Sequence, residues 1–320
     1  MAEEIWHDPL KAENAVHSRP RHYLRSQWPF WVLLAPGVLL LFAFVYLPMF
    51  GIVLAFKNFH IDQGIWGSPW VGLENFKFFF QSEYAWRATR NTVFLNALFI
   101  STGHLFAIFC AIALFEVRMV WFRRGIQTIT YFPSFLSWVT IGVLALSVFS
   151  PGQGSLNSLL SSLGFKPVQW YSWPSLWPGI LTLLNTWKGA GVLIVIYIAA
   201  LTSVNHEYYE AAKIDGANFW NLTRHVTLPH LAPTVVVLVL MAVGNIFRGD
   251  TQMMLAIVDQ QSQLYPTTDV LDFFVYRSLT KSMDVGMPAA VGLYQSCVGF
   301  VLVLGANWFA RGYQREGALF

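Results

Sequence analysis

The sequence predicts an all-α membrane protein with six transmembrane helices, and three observations carry that prediction. First, 55% of the 320 residues are hydrophobic, only 12% are charged, and mean hydropathy is +0.49. A soluble domain of this length could not bury so much apolar surface. Second, the apolar residues gather into runs that approach the roughly 20 residues a helix needs to cross a bilayer core. Third, tryptophans stand near the run ends at Trp28, Trp121, Trp177 and Trp308, where an interfacial aromatic belt would sit.

The runs place spans at Phe30–Phe56, Thr92–Phe115, Ile126–Phe149, Trp177–Leu201, Ala232–Ile246 and Gly286–Phe309. The fifth is the shortest and is expected to extend a few residues past Ile246. Pro36, Pro48 and Pro133 fall inside spans and imply kinks, which membrane helices tolerate when neighbours satisfy the freed carbonyls. Residues 1–28 read as a polar amino-terminal tail without the apolar core of a signal peptide, residues 29–310 as the membrane domain, and residues 311–320 as a carboxyl-terminal tail. Six crossings put both termini on one side. Eleven Lys and Arg fall on that side, including Arg118, Arg123 and Arg124 in one tight loop, against eight in the longer opposite loops. The positive-inside tendency therefore favours cytoplasmic termini. Cys110 and Cys297 both lie in apolar runs, which suggests packing rather than a disulfide or metal site. A net charge of +3 without a basic block gives no footprint for nucleic acid.

Between spans four and five lies a segment of different character, NHEYYEAAKIDGANFWNLTRHVTLP, from Asn205 to Pro229. Asn205 can cap a short helix from His206 to Ile214, and Gly216 can supply the left-handed residue that ends it. Asn218 can cap a second short helix, with Pro229 at the entry to span five. Tyr208, Tyr209, Phe219 and Trp220 would give a protein partner apolar anchors, while Glu210, Asp215 and Arg224 would offer charged contacts. An amphipathic connector lying on the membrane face fits the same spacing.

Residue identity adds to this reading. Glu210-Ala211-Ala212, then Asp215-Gly216-Ala217, then Leu228-Pro229, resembles the EAA loop of binding-protein-dependent ABC importer permeases. The runs Tyr46–Phe59, Gly64–Phe76, Thr186–Leu201 and Asp269–Arg277, and the tail from Ala290 to Arg311, are similar to the LplB-like permeases of the carbohydrate uptake class. Thr223 departs from the pattern, which usually has an aromatic residue there. The resemblance implies the type I ABC importer permease fold, with residues 203–230 forming a cytoplasmic coupling loop and helix. It also implies a bacterial inner-membrane location and an oligosaccharide substrate, in many relatives an acidic one such as alginate. The partners implied are a second homologous permease, two copies of a cytoplasmic ATPase subunit and an extracytoplasmic solute-binding protein. ATP and Mg would be bound by the ATPase subunits, and no cofactor by this chain. In the coupling role, Glu210 would contact the ATPase, Ala211 and Ala212 would allow close approach, and Gly216 would make the bend.

Polar residues in the spans are the candidates for a substrate path. Lys188 lies near the middle of span four, where a lysine costs about 2.5–3.5 kcal/mol to insert. It should face either a water-filled path that attracts sugar carboxylates or a structural ion pair or backbone contact. Gly189 and Gly191 beside it would permit close helix approach. Asn185 and Asn245 could contact sugar, and Trp187, Tyr197 and Tyr294 could stack on sugar rings. Interhelical hydrogen bonding explains most such residues, and Asn96, His104 and Gln295 belong with them. Arg248, Asp250, Asp272 and Arg277 in the last outer loop could meet a binding protein or remain solvated. No GxxxxGK[ST] phosphate loop, HExxH or GxSxG occurs, so the chain is not expected to hydrolyse ATP or act as a membrane hydrolase. A stand-alone secondary sugar transporter is the rival reading. It would call for acidic residues within the spans and an inverted repeat, and the predicted span interiors hold no Asp or Glu.

Overall fold

A computed structural model describes residues 28–152 and 154–313. The amino-terminal tail with Lys11, Arg19, Arg21 and Arg25, and the carboxyl end with Arg315, lie outside them. The chain comprises two compact units, one up to Val53 and one from Leu54 onward.

The first unit holds α1 (Trp28–Leu41), apolar all round and with Pro36 inside it. A π-helical turn, Phe42–Tyr46, follows, in which the Leu47 N–H donates to the Phe42 carbonyl. This longer bonding step occurs just before Pro48, whose missing N–H would interrupt a regular helix. Phe50–Phe56 tightens into a 3₁₀ helix.

The second unit is built around two long helices, α3 (Glu83–Phe115) and α6 (Trp177–Thr202), which form its most extensive helix pair. Gly103, Ala107 and Ala111 recur at four-residue spacing on α3 and are all buried. Small residues at that spacing let helix backbones approach closely. Ala190, Ile194, Tyr197, Ile198 and Leu201 of α6 complete this core. At 33 residues, α3 is ~50 Å long, well beyond a hydrocarbon core of about 30 Å. Its extra amino-terminal turns follow the short helix α2 (Glu74–Gln81), are capped by Ser82, and carry Arg87, Arg90 and Asn91.

The expected third span is corrected. Instead of one kinked helix over Ile126–Phe149, the chain forms α4 (Val120–Tyr131), a 3₁₀ turn at Phe132–Phe135, and α5 (Trp138–Phe149). The two arms are bent by 98°. Pro133 opens the 3₁₀ turn and Ser137 caps the new helix by accepting from the Thr140 N–H. The break is therefore written in the sequence as a stop followed by a start. Among the described residues, five helices are long and apolar enough to cross a membrane, or six if this bent pair is counted as one span.

The fifth span is corrected in the opposite sense. α9 (Leu228–Gly244) ends at Gly244 rather than beyond Ile246. It gains length at its start, because α8 (Phe219–Leu222) runs into it through a π turn at Thr223–Thr227. Pro229 occupies the first turn of α9, where a missing N–H costs little. α12 (Gly286–Tyr313) continues past the expected start of the carboxyl-terminal tail. Of the proposed belt tryptophans, Trp28, Trp121 and Trp308 are exposed. Trp177 is not: it is fully buried and donates its indole N–H to the Trp170 carbonyl at 3.0 Å.

The loop between α9 and α12 contains α10 (Thr251–Ile257) and α11 (Leu271–Lys281). One face of α3 holds it through side-chain bonds to backbone. The Asn96 amide donates to the Ile246 and Arg248 carbonyls, and the Asn91 amide to those of Pro266 and Asp269. Thr92 Oγ1 accepts from the Leu271 N–H. Asp269, fully buried, receives Arg277 at 2.5 Å and Arg87 at 3.4 Å. Burial pushes its carboxyl up, further than the two guanidiniums pull it down. Asp272 accepts from the Gly249 N–H and Asp250 caps α10. Read as partner contacts or as solvated loop charges, these groups are in large part folding groups instead.

Candidate functional site: the connector and the polar residues of the spans

The segment between α6 and α9 folds as two short helices joined at a bend. α7 (His206–Ile214) begins at Asn205, whose side-chain oxygen accepts from the Glu207 N–H at 3.1 Å. It ends at Gly216, which has φ +79°. The Gly216 N–H donates to the Lys213 carbonyl at 3.0 Å and the Ala217 N–H to the Ala212 carbonyl at 2.9 Å. These paired bonds are a Schellman motif, which satisfies the last carbonyls of a helix and requires a left-handed residue. Asn218 then caps α8 by accepting from the Asn221 N–H.

The bend has one face turned to the chain and one turned away. Tyr209 faces inward at 3% exposure, with its ring centroid 5.7 Å from that of Phe115 and its hydroxyl 3.4 Å from Thr227 Oγ1. Leu222 and Thr223 are also buried. Tyr209 is thus corrected from a partner anchor to the wedge that seats the connector on its own helices. Ile214, Tyr208, Phe219 and Trp220 remain exposed, at 87%, 58%, 53% and 66%. Glu210, Ala211, Asp215, Gly216, Leu228 and Pro229 are exposed as well, while Ala212 and Ala217 are half-buried. The outward face therefore joins apolar side chains to two carboxylates.

The candidate substrate residues do not come together as a cluster. Lys188 is half-buried, and its ammonium donates to the Leu136 carbonyl at 2.5 Å and the Ser134 carbonyl at 3.2 Å. It also lies 5.5 Å from the Trp138 ring centroid. Of the two environments open to it, the structure gives it a structural partner, the broken backbone between α4 and α5. Gly191 works at the same junction, because a Cβ there would collide with the Thr130 carbonyl of α4. Gly189 has open space around it and makes no such approach.

Tyr197 is corrected: it is fully buried, and its hydroxyl lies 2.6 Å from His104 Nδ1. Both rings belong to the contact between α3 and α6 and leave no face for a sugar. Asn245 is exposed and donates to the Met241 carbonyl of its own helix. Trp187 is exposed and Asn185 half-buried. Gln295 donates to the Phe247 carbonyl at 2.7 Å, a bond to the turn after α9 rather than to a helix. A backbone contact was one of the readings open to Lys188, and Pro133 near it was the available signal. What sequence reasoning missed was that Asn91, Asn96 and Gln295 also spend their donors on carbonyls at or just past helix ends.

Comparison with known proteins assigns this architecture. Residues 103–312 match the family described as binding-protein-dependent transport system inner membrane component. LplB of Bacillus subtilis (strain 168) is 32% identical over 293 residues, covering 92% of this chain and 91% of LplB. The polygalacturonan/rhamnogalacturonan transport system permease protein YteP of the same organism is 31% identical over 287 residues, covering 90% and 89%. A chain from the crystal structure of a bacterial alginate ABC transporter, bound to an alginate pentasaccharide-loaded periplasmic protein, superposes with a TM-score of 0.84 at 31% identity. It covers 91% of this chain and 97% of its own length. The chain therefore belongs to the family of binding-protein-dependent transport system inner membrane components and is a multi-pass permease component of a carbohydrate ABC importer.

Proposed function

We propose that this permease couples ATP hydrolysis in a separate cytoplasmic ATPase to the import of acidic oligosaccharides. The observation that carries the coupling is the connector from Asn205 to Thr227. It is rigid on the inside through Tyr209 and the Schellman bend, and it is apolar on the outside through Ile214, Phe219 and Trp220. A seated knob of this kind can transmit force in both directions, whereas a floppy loop would absorb it. Glu210 makes the polar contact to the ATPase, which binds ATP and Mg. Exposed Ala211 permits close approach beside it, with Ala212 at the edge of the same face. Asp215, Gly216 and Ala217 form the bend, and Leu228-Pro229 joins it to α9. Closure of the two ATPase subunits then moves α9 and α6 together, because the connector is continuous with one and follows the other. A second homologous permease completes the pore, and a solute-binding protein delivers the sugar to the outer loops. Both termini and the connector lie in the cytoplasm.

Acidic character of the substrate is supported by the relatives. Alginate and polygalacturonan are both polymers of uronic acids, and the proteins named for them match nearly the whole chain. Asn185, Trp187 and Lys188 line the path in this reading. Lys188 has one ammonium hydrogen beyond the two carbonyls it serves.

The test is purification of the tagged chain in mild detergent from its native membrane, followed by ATPase assay and reconstituted uptake. Recovery of a second permease with an ATP-hydrolysing subunit, and ATP-dependent uptake of uronic-acid oligosaccharides, is the expected result. A chain that transports sugar alone, driven by an ion gradient, would overturn it.

A further inference from the structure

A groove of about 600 Å³ lies between α5 and α10, lined among others by Trp138, Tyr171, Gln252, Gln260 and Gln261. Its size falls in the range of small-ligand sites. Its walls are held closely: a Cβ at Gly142 would collide with the Ala256 carbonyl.

Ser137 in this lining caps α5, but five other polar side chains there are idle. Trp138 and Tyr171 are each only 7% exposed. Neither the Trp138 indole N–H nor the Tyr171 hydroxyl is hydrogen-bonded among the described residues, and neither are the side-chain amides of the three glutamines. Buried polar groups nearly always have partners. The unpartnered side-chain atoms sealed from solvent among the described residues are Nε of Arg87 and Nε of Arg277. The idle atoms of Trp138 and Tyr171 are therefore not sealed from solvent, and both residues line the groove. Burial pushes the Tyr171 phenol up, so it stays a donor at neutral pH.

We infer that this groove is a saccharide subsite, in which Trp138, Tyr171 and the glutamine amides take the hydroxyl groups of a pyranose unit of the transported chain. The inference rests on the proposed function. Amides and a phenol both donate and accept, as sugar hydroxyls do, and the indole adds a donor. The aromatic edges supply apolar surface for the carbon face of the ring. The lining contains no carboxylate, so a uronic acid meets no repulsion there, and amide, indole and phenol can all donate to its carboxyl group.

The test uses the complete importer reconstituted with its binding protein, measuring uptake of alginate-derived and polygalacturonan-derived oligosaccharides. Tyr171→Phe removes one hydroxyl and Gln252→Leu one exposed amide, so both changes spare the packing. Each is expected to raise KM roughly 2- to 10-fold, the worth of one hydrogen bond, with kcat retained, the signature of lost ground-state binding. Unchanged KM in both variants, in a complex whose wild type transports, would overturn the subsite and leave the transport function standing. Loss of the second permease from either purified variant would also overturn it, by making the groove a subunit seam. A wild-type complex that takes up neither sugar would overturn the transport reading itself.

Discussion

Gly216 and Lys188 show how single residues here serve backbone geometry. Gly216 has open space where a Cβ would go, so its requirement is conformational: φ +79° costs an ordinary L-residue roughly 1–2 kcal/mol. Asn and Asp tolerate that region better than a β-branched residue does, and they share a shape. Gly216→Asn should therefore keep most ATP-coupled uptake, Gly216→Val should lose most of it, and all variants should insert normally. Gly216→Asp adds only charge to the Asn variant, so loss of uptake in Asp alone would place the fault at the apolar interface. Equal uptake by Val and wild type would mean that the bend is not part of coupling. Lys188 supplies donors to two carbonyls exposed by the break after Pro133. Lys188→Met keeps a long side chain but leaves those carbonyls unpaired, at about 1–3 kcal/mol. Thermal unfolding of the purified complex should fall for Met and recover for Arg. Unchanged stability with impaired uptake would return Lys188 to the sugar path alone.

At the scale of elements, the polar face of α3 is the counterpart of the connector: it fixes the loop between α9 and α12 as Tyr209 fixes the connector. Asp269 is its centre, fully buried between Arg277 and Arg87. Asp269→Asn preserves shape but leaves two guanidiniums over a neutral group, and breaking a buried pair costs about 3–5 kcal/mol. Hydrogen exchange should then rise through α11 and the 265–270 segment while the core between α3 and α6 stays protected. Unchanged exchange in α11 would show that the backbone bonds from Asn91, Asn96 and Thr92 suffice. The long helices were legible in the sequence because apolar runs of that length have few alternatives: Trp177–Thr202 and the end of α3 fall where hydropathy puts them. The caps at Asn205 and Asn218 and the bend at Gly216 were legible because their chemistry is local. The place of the break was announced by Pro133, but its 98° size and the start of α9 were not legible. An apolar run has the same hydropathy straight or broken, and a π turn carries no hydropathy signal. Tyr209 and Tyr197 were misjudged because aromatic residues suit a partner, a ligand and a core equally, and only tertiary packing decides.

For the whole molecule, the consequence of that break is parity. Among the described residues, five helices other than the bent pair are long and apolar enough to cross: Trp28–Phe56, α3, Pro174–Thr202, Phe219–Gly244 and Gly286–Trp308. If α4 and α5 together cross the membrane, the count is six and both termini share the side of the connector. If they enter and return on one side, the count is five and the amino terminus lies opposite the connector and the carboxyl terminus. The charge distribution favours the first arrangement, which alone puts the short basic loop at Arg118, Arg123 and Arg124 on the same side as Lys213 and Arg224 of the connector. Lys188 points the same way: its ammonium satisfies the carbonyls of an interrupted span, the means by which irregular backbone survives at membrane depth. The expected result follows from labelling single cysteines in intact cells, with Cys110 and Cys297 replaced. Positions at the amino terminus, at Lys213 and at the carboxyl terminus should all resist a membrane-impermeant maleimide, while Gln260 in the loop after α10 should react. Reaction at the amino terminus with protection at Lys213 would make the bent pair re-entrant. Protection of Gln260 would instead remove the groove beside α10 from the outer face, where a delivered sugar must first arrive.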